Sequence, residues 1–342
     1  MTVPQSQTDP RRLLDLIGTF GSIGMVVLAD LVVDEFRYGE ISRISREAPV
    51  LILNHRKTDL LPGGGANAVN NLKALGARPV PVGRVGDDAA GDALLRVFEK
   101  RGIPCSLIWT HQDYGTPTKT RILAGGPHSV RQQVVRIDQG APVPLSPGEE
   151  DLLLANLERA ASGAAGLLIS DYGYGLVHPG NVERILQMAR GARWPVVVDS
   201  RRQLPFFRGI TAAAPNLEEA EQAAGEDVDR DPRRLERVGA RVRQMTGAEA
   251  VLVTLGSRGL ALFAEGMEPV HLPVFGSDEV ADVTGAGDTV AATFSLARLA
   301  GGSYLEAATL ANMAGGIVVM KRGTATVSGD ELARAVSSPP GP

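Results

Sequence analysis

The 342-residue chain contains a single cysteine, Cys105, and five scattered histidines. One thiol can form neither an intramolecular disulfide nor a cysteine-based metal site. The histidines form no HExxH sequence and no close pair, which is not the pattern of a zinc-binding protein. We therefore expect a fold without disulfides and without a zinc centre.

Long apolar runs and an excess of positive charge are also missing. The N-terminal run 16–29 has only 14 uncharged residues, whereas a membrane span needs roughly 17–25, so a short helix from Asp9 and a core strand fit this region better than an anchor. The net charge of −4 and the 4% aromatic content argue against a surface for nucleic acid. We expect a cytoplasmic protein that binds neither membranes nor nucleic acid.

Glycine and proline are plentiful, with 40 and 22 residues, as expected of an α/β protein with many short connections. From residue 146 onward, short apolar runs alternate with helical patterns, which predicts a mainly parallel sheet covered by helices on both faces. Two segments, 35–61 and 105–138, have a β-like pattern instead. We predict a single domain over 1–342 with a flexible tail at 336–342.

The stretch 280–296 carries the most specific chemical signal. Gly285, Ala286 and Gly287 form a small-residue turn that leads into an apolar helical run. Unpaired N–H groups of such a turn and of a helix N-terminus bind anions, above all phosphate. Asp288 follows the turn, where a carboxylate would repel phosphate, so its role is either general base or simple helix cap.

Further candidates lie at strand ends and turns. Asp30 and Asp34 follow the apolar run 25–29, where open α/β sheets place ligand contacts; the alternative is two solvated loop acids. The glycines at 63–65 precede Asn67 at the start of a predicted helix. Because an amide both donates and accepts, Asn67 suits sugar hydroxyls, although a plain loop into a helix explains the same residues.

Lys119 and Arg121 alternate with threonines in a β-like run, which puts both cations on one face of a strand. Such a pair is either a solvated sheet edge or a clamp for a phosphate group.

Together these motifs resemble, by their order, the ribokinase/PfkB family of carbohydrate kinases. The matching features span roughly 24–330 and are Asp30, GGGAN at 63–67 with Gly76, VGD at 85–87, PNLEE at 215–219, TLG at 254–256 and DVTGAGD at 282–288. The resemblance implies a ribokinase-like αβα sandwich in which the segments 35–61 and 105–138 form a small β-sheet lid. It also implies an enzyme that transfers the γ-phosphoryl group of ATP to a sugar hydroxyl with the help of Mg²⁺.

The family's roles carry over by matching position. Asp288 corresponds to the general base, and Gly285, Ala286 and Gly287 to the anion hole. The implied sugar ligands are Asp30, Asp34, Gly64 and Asn67, and the implied nucleotide ligands are Asn216, Glu219, Thr254, Gly256, Gly259 and Asn312. Asn216 and Glu219 would also support Mg²⁺ indirectly, and Asp282 and Thr284 match the K⁺ site of some members.

Within the family, the likeness is greatest to kinases of D-glycero-D-manno-heptose 7-phosphate, which act on its anomeric hydroxyl. It rests on YG at 38–39, RIS at 43–45, EAPV at 47–50, TPTKTR at 116–121, RID at 136–138 and SDY at 170–172. In this interpretation Lys119, Arg121 and Arg43 hold the phosphate that the sugar already carries. Lids of this family often pair between subunits, so the resemblance also favours a homodimer through the lid.

Departures from that subgroup keep another sugar or sugar phosphate open as the acceptor. They are Arg46, Tyr174, DSR at 199–201 and extra residues at 125–131. No HxGH sequence occurs, so we expect no nucleotidyltransferase within the chain. A non-catalytic sensor of sugars or nucleotides would be expected to lack the base or the anion hole, and a nicotinamide-dependent oxidoreductase would show GxGxxG after a strand.

Overall fold

The computed structural model describes residues 8–125, 131–276 and 281–338. Ten α-helices, three short 3₁₀ helices and thirteen strands are present in these ranges. The helices are α1 Pro10–Thr19, α2 Gly65–Ala74, α3 Ala89–Lys100, α4 Pro147–Ala160, α5 Val182–Gly191, α6 Leu217–Ala224, α7 Pro232–Thr246, α8 Ala286–Leu299, α9 Tyr304–Val319 and α10 Gly329–Ser337. None of these helices is long and apolar enough to cross a lipid bilayer.

The strands form two sheets. Their bounds are β1 Gly24–Ala29, β2 Leu31–Ile44, β3 Leu51–Gly64, β4 Arg78–Gly86, β5 Ile108–His111, β6 Thr118–Gly125, β7 Gln132–Gln139, β8 Leu167–Asp171, β9 Val196–Ser200, β10 Ala212–Ala213, β11 Ala250–Thr254, β12 Leu260–Ala264 and β13 Val270–Leu272. The large sheet has the order β13-β12-β11-β10-β9-β8-β1-β4-β5. Only β12 runs opposite to the other strands, because it pairs antiparallel with both β11 and β13, so the predicted α/β sheet is mainly parallel.

Helices cover both faces of the large sheet. On one face Phe20, Leu72 and Phe294 belong to a buried cluster built with α1, α2, α8, α9 and α10. On the other face Leu153, Ile185 and Val238 bring α4, α5 and α7 onto the sheet. The central strand β1 is buried at every position, as expected of a parallel strand that is covered on both sides.

The smaller sheet has the order β3-β2-β6-β7. β2 pairs antiparallel with β3 and parallel with β6, and β6 pairs antiparallel with β7. β2 begins two residues after β1 ends, and β3 runs directly into α2. The lid sheet is therefore joined to the large sheet at the carboxyl end of β1, next to the predicted sugar site.

Some predicted boundaries are wrong. β5 pairs with β4 and so belongs to the large sheet, whereas the sequence placed the whole segment 105–138 in the lid. Val336 and Ser337 belong to α10, because Leu332 and Val336 are buried in the core. The rest of the predicted tail, 339–342, lies outside the described residues, as do most of the extra residues at 125–131.

Candidate active site

Asp288 is the third residue of α8 and is 1% exposed. Its carboxylate accepts a hydrogen bond from Nδ2 of Asn67 at 3.0 Å and another from the hydroxyl of Tyr172 at 2.8 Å. The helix has Gly285 at its N-cap position, with no side-chain capping bond. The alternative that Asp288 only caps the helix therefore does not describe this structure.

The turn before Asp288 requires glycine at its first position. Gly285 has a φ of +79°, and a Cβ there would lie 2.4 Å from Nδ2 of Asn67. The carbonyl oxygen of Gly285 accepts from that same amide at 3.2 Å. The turn and α2 are thus in direct contact, and the amides of Gly287 and Asp288 have no acceptor among the described residues, as expected at a helix N-terminus.

A buried amide network holds α2 against α8. Nδ2 of Asn71 donates to the side-chain and backbone oxygens of Asn67, one helical turn away. The hydroxyl of Thr289 donates to Oδ1 of Asn71. Because an asparagine without partners is costly to bury, this network fixes the rotamer of Asn67 and with it the position of Asp288.

The pKa of Asp288 is raised to about 7. Burial is the main cause and the nearby Asp34 carboxylate adds to it, whereas the hydrogen bonds from Asn67 and Tyr172 and the charge of Arg201 act in the opposite direction. A carboxylate that titrates near neutrality can accept a proton during a reaction and release it afterwards. Such a shift in a cleft is typical of a functional group, since it costs stability.

A cavity of about 560 Å³ opens next to this turn. Its walls include all nine residues of the predicted nucleotide site and anion hole, namely Asn216, Glu219, Thr254, Gly256, Gly259, Gly285, Ala286, Gly287 and Asn312. β10 and β11 end at this edge of the sheet, and α8 begins there. Residues that are far apart in sequence therefore meet around one cavity.

Asn216 and Glu219 form a capping box at the start of α6. The side chain of Asn216 accepts from the Glu219 amide, and Glu219 accepts from the Asn216 amide, both at 2.9 Å. The motif therefore has a structural role of its own. Desolvation and then Glu219 raise the pKa of Asp199, so two acids whose charges repel each other face the cavity.

Asp34 lies on the lid side of Asp288. Arg121 donates to its Oδ1 at 2.6 Å, and the Thr324 hydroxyl donates to Oδ2 at 2.6 Å. All three residues are buried, which excludes the solvated loop acid as a description of Asp34. A Cβ at Gly63 would lie 2.6 Å from the Asp34 carboxyl carbon, so the glycine turn leaves room for this carboxylate.

Lys119 and Arg121 lie on β6, which pairs with β2 on one side and β7 on the other. A solvated sheet edge is therefore excluded, and both side chains are buried. Arg121 is paired with Asp34, whereas Lys119 has no ion pair to a residue that the structure describes. Burial, followed by the charge of Arg201, lowers the pKa of Lys119, as expected of a desolvated cation that has no ion pair among the described residues.

Arg43 does not join these cations. It is exposed near the distal end of β2, roughly 30 Å from Asp34 along an extended strand. The prediction that Arg43 contributes to the same phosphate clamp is therefore wrong within one chain.

A comparison with known protein families shows to which family the chain belongs. The model described as "pfkB family carbohydrate kinase" matches residues 27–330. The chain belongs to the pfkB family of carbohydrate kinases. It is accordingly a sugar kinase, and the predicted ribokinase-like fold and enzyme class are confirmed.

Similar proteins agree with this membership. The bifunctional protein HldE of Pelobacter propionicus is 36% identical over 96% of this chain, and HldE of Geobacter metallireducens is 39% identical over 91%. The chain spans just under two thirds of these relatives, 66% and 62%.

Two solved structures share the fold. Ribokinase of Arabidopsis thaliana, complexed with ribose and ATP, aligns with a TM-score of 0.71 at 20% identity over 93% of this chain and 99% of its own. Phosphofructokinase-2 of Escherichia coli, in complex with substrates and products, has a TM-score of 0.73 at 20% identity over 92% of this chain and 98% of its own.

In this pfkB family kinase Asp30 has partners within the protein. Its Oδ2 accepts from the backbone amides of Tyr172 and Tyr174 at 2.9 and 3.0 Å. Burial and then the neighbouring Asp171 raise its pKa to about 7. Asp30 thus organises the turn after β8.

Asp282 likewise has backbone partners. It accepts from the amides of Thr284 at 2.9 Å and Gly323 at 3.1 Å. These bonds tie the loop before α8 to the loop after α9. They explain the aspartate without a bound cation, so K⁺ binding by Asp282 and Thr284 stays a prediction.

Several residues that this pfkB family kinase places at the site had no role predicted from the sequence. They are Asn71, Tyr172, Asp199, Arg201 and Thr324. The signal for Asn71 was its spacing of four residues from Asn67. Tyr172 and Arg201 follow β8 and β9, at the edge where open sheets bind ligands. Thr324 lies on a loop and carried no pattern that could have identified it.

Proposed function

We propose that this kinase transfers the γ-phosphoryl group of ATP to a hydroxyl of a sugar phosphate, with Asp288 as the general base. The observation that carries the proposal is the place of Asp288, buried between the nucleotide-sized cavity and Asn67 on the lid side. In the reaction the bond from the γ-phosphorus to the leaving ADP oxygen breaks and a bond to the sugar oxygen forms. The hydroxyl proton passes to Asp288.

The anion hole and the cavity supply the nucleotide site of the proposal. In this proposal an anion is held beside the turn 285–287, where the free amides at the start of α8 would stabilise charge that develops on the phosphoryl oxygens. Thr254, Gly256, Gly259 and Asn312 line the remainder of the space for the nucleoside.

The donor chemistry fits Mg²⁺. Asp199 and Glu219 offer hard carboxylate oxygens whose mutual repulsion a divalent cation relieves. In the described parts of the chain no group of three or more His, Cys, Asp or Glu side chains forms a metal site by itself. Phosphate oxygens and water would complete the coordination, as is usual for Mg²⁺ with ATP, and the bound ion would offset phosphate charge.

The favoured acceptor is D-glycero-D-manno-heptose 7-phosphate. The support is the similarity to HldE proteins over more than nine tenths of the chain, together with the buried Lys119 on the lid side of the base. A phosphate on the sugar gives this desolvated cation the anionic partner that the described residues do not provide.

Another sugar or sugar phosphate is the second candidate acceptor. Arg121 is already engaged by Asp34 at 2.6 Å, so the proposed clamp has Lys119 as its one buried cation without an ion pair among the described residues. A pocket with fewer available cations suits an acceptor with a smaller or differently placed charge.

A homodimer through the lid is part of the proposal. The lid strands and the turn between β2 and β3 expose large apolar side chains, namely Ile41, Ile44, Val50, Leu51, Val134, Val135 and Ile137. Apolar exposure concentrated on one small sheet is typical of a surface that is covered by another protein. Elution as a monomer across the micromolar range in size-exclusion chromatography with light scattering argues against it.

A coupled assay of ADP release over a panel of sugars and sugar phosphates tests the acceptor. We expect turnover that needs both Mg²⁺ and a phosphorylated sugar, highest with the heptose 7-phosphate. Highest turnover with an unphosphorylated sugar contradicts the proposed acceptor, and no turnover with any member removes the proposed function.

The substitution Lys119→Ala tests the phosphate clamp. We expect it to weaken the binding of phosphorylated sugars by about tenfold or more, because a charge-assisted hydrogen bond is lost. The binding of unphosphorylated sugars should change little. Lys57→Ala, which removes an exposed lid cation paired with Asp59, is the matched control. Equal losses for both classes of sugar count against the clamp.

A further inference from the structure

The cavity beside Gly285 has a strongly acidic wall with one cation. Asp199, Glu218 and Glu219 line it, and Arg201 is the only Lys, Arg or His side chain among the described lining residues. A nucleotide triphosphate would bring several negative charges next to these three acids. The position of Arg201 therefore bears directly on how such a ligand is held.

Arg201 follows β9, and its backbone amide donates to the carbonyl oxygen of Asp171 at 3.1 Å. Its guanidinium carbon lies 4.3 Å from the centroid of the Tyr172 ring. The side chain is exposed, and it forms no hydrogen bond or ion pair with any residue in 8–125, 131–276 or 281–338. All five N–H donors of this group thus remain available to a ligand.

Tyr172 links this cation to the base. Its hydroxyl donates to Oδ1 of Asp288, while the face of its ring contacts the guanidinium of Arg201. One rigid phenol therefore sets the spacing between the carboxylate that accepts a proton and the guanidinium that faces the cavity. A cation on an aromatic face is held without using its N–H groups.

The charge of Arg201 reaches both sides of the cleft. It contributes to lowering the pKa of Asp288 and of Glu219, against the larger effect of burial. Because this positive group acts both on the base and on the acids around the cavity, it lies between the proposed sugar site and the proposed nucleotide site. The γ-phosphoryl group would pass through this region.

We propose that Arg201 contacts the phosphoryl group that is transferred, and that Tyr172 is a positioning residue that holds Arg201 and Asp288 in register. This inference rests on the proposed function, since it assumes that the cavity binds ATP. It adds a guanidinium, with its fork of donors for phosphate oxygens, to the backbone anion hole.

Calorimetric binding of two nucleotides to the full chain tests the role of Arg201. The probes are ADP and the non-hydrolysable β,γ-imido analogue of ATP, each with Mg²⁺. We expect Arg201→Gln to weaken the affinity for the triphosphate analogue about tenfold to a hundredfold, the effect of a lost charge-assisted hydrogen bond. The affinity for ADP should fall by about threefold or less, since the β-phosphate lies further away. Arg201→Lys should recover part of the loss.

Arg202→Gln is the matched control, because this exposed neighbour does not line the cavity beside Gly285 and instead lines a depression with Glu221 and Gln222. Equal weakening of ADP and the triphosphate analogue by Arg201→Gln, or no weakening of either, overturns the assignment. The binding measurement needs no sugar. If the wild type binds both nucleotides but phosphorylates no sugar in the panel, the proposed acceptor fails while the role of Arg201 is still decided.

Tyr172→Phe tests the positioning role, since it keeps the ring under Arg201 and removes the hydroxyl. We expect a lower kcat with little change in nucleotide affinity, and an inflection of the rate that moves to higher pH because Asp288 loses a hydrogen bond to its charged form. Tyr304→Phe is the control, since Tyr304 also lies under an arginine and donates to a carboxylate, far from the cleft. An unchanged kcat and pH profile in Tyr172→Phe removes the positioning role.

Discussion

Tyr172 donates its phenol hydrogen to Oδ1 of Asp288 across 2.8 Å. Asn67 donates to the other oxygen of the same carboxylate, from a different helix. Asp288 is therefore held from two sides by neutral donors, which orient the carboxylate without neutralising it through an ion pair. This arrangement suits a group that must accept a proton and give it up again.

Replacing Asp288 by asparagine removes the proposed base and preserves the size of the side chain. We expect a loss in kcat of about 10²–10⁴ or more, in the range of general-base contributions, with nucleotide affinity retained. The measurement is steady-state ADP release together with calorimetric binding. Turnover close to that of the wild type would show that Asp288 is not the base.

The rate should depend on pH through Asp288. Its pKa is raised to about 7, so the carboxylate is charged and able to accept a proton above this value and is protonated below it. We expect kcat/KM to fall by about tenfold for each pH unit below about 6.5. A rate that stays constant from pH 8 to pH 5 is inconsistent with this carboxylate as the base.

The same pKa predicts a pH-dependent cost to stability. The folded state binds the Asp288 proton more tightly than the unfolded state, so stability falls as pH rises from about 4 to about 7, and the full cost is present above about 7. Asp288→Asn should therefore raise the free energy of unfolding by about 1–3 kcal/mol at pH 8. Urea denaturation at pH 8 and pH 4.5 measures the effect, and a gain that is equal at both pH values contradicts it.

Two glycines of the turn before Asp288 should respond differently to alanine. Gly285→Ala places a Cβ 2.4 Å from Nδ2 of Asn67 at a φ of +79°, so we expect a loss of about 1–3 kcal/mol in unfolding free energy. Gly287→Ala meets nothing within 4 Å and should leave stability within about 0.5 kcal/mol. Thermal and urea unfolding compare the two variants, and equal stabilities would show that the αL turn is not required.

Much of the fold could be predicted from local patterns. The capping box at Ser146 and Glu149 marks the start of α4, and the Asp9 cap with Pro10 marks the start of α1. These signals are short in range, since a cap is decided within a few residues. α10 was missed because its amphipathic pattern is only nine residues long and close to the C-terminus.

The lid was predicted as a β segment, but its boundary was not. Nothing in the residues of β5 shows that it pairs with β4 of the large sheet rather than with the lid. Strand pairing depends on which edge is free in three dimensions, and apolar alternation carries no information about the partner. For the same reason, the distance from Arg43 to Lys119 was not visible in a pattern of charges.

The sequence by itself determined the order of short motifs and the residue types at the turn 285–288, because glycines and a carboxylate at that spacing reflect local backbone chemistry. Only the tertiary structure decided what surrounds Asp288. Asn67, Tyr172 and Arg201 come from three separate parts of the chain and meet there because β1, β8 and β9 are parallel neighbours that end at one edge of the sheet. Burial at that meeting point also raises the pKa of Asp288, since desolvation depends on packing and not on sequence neighbours.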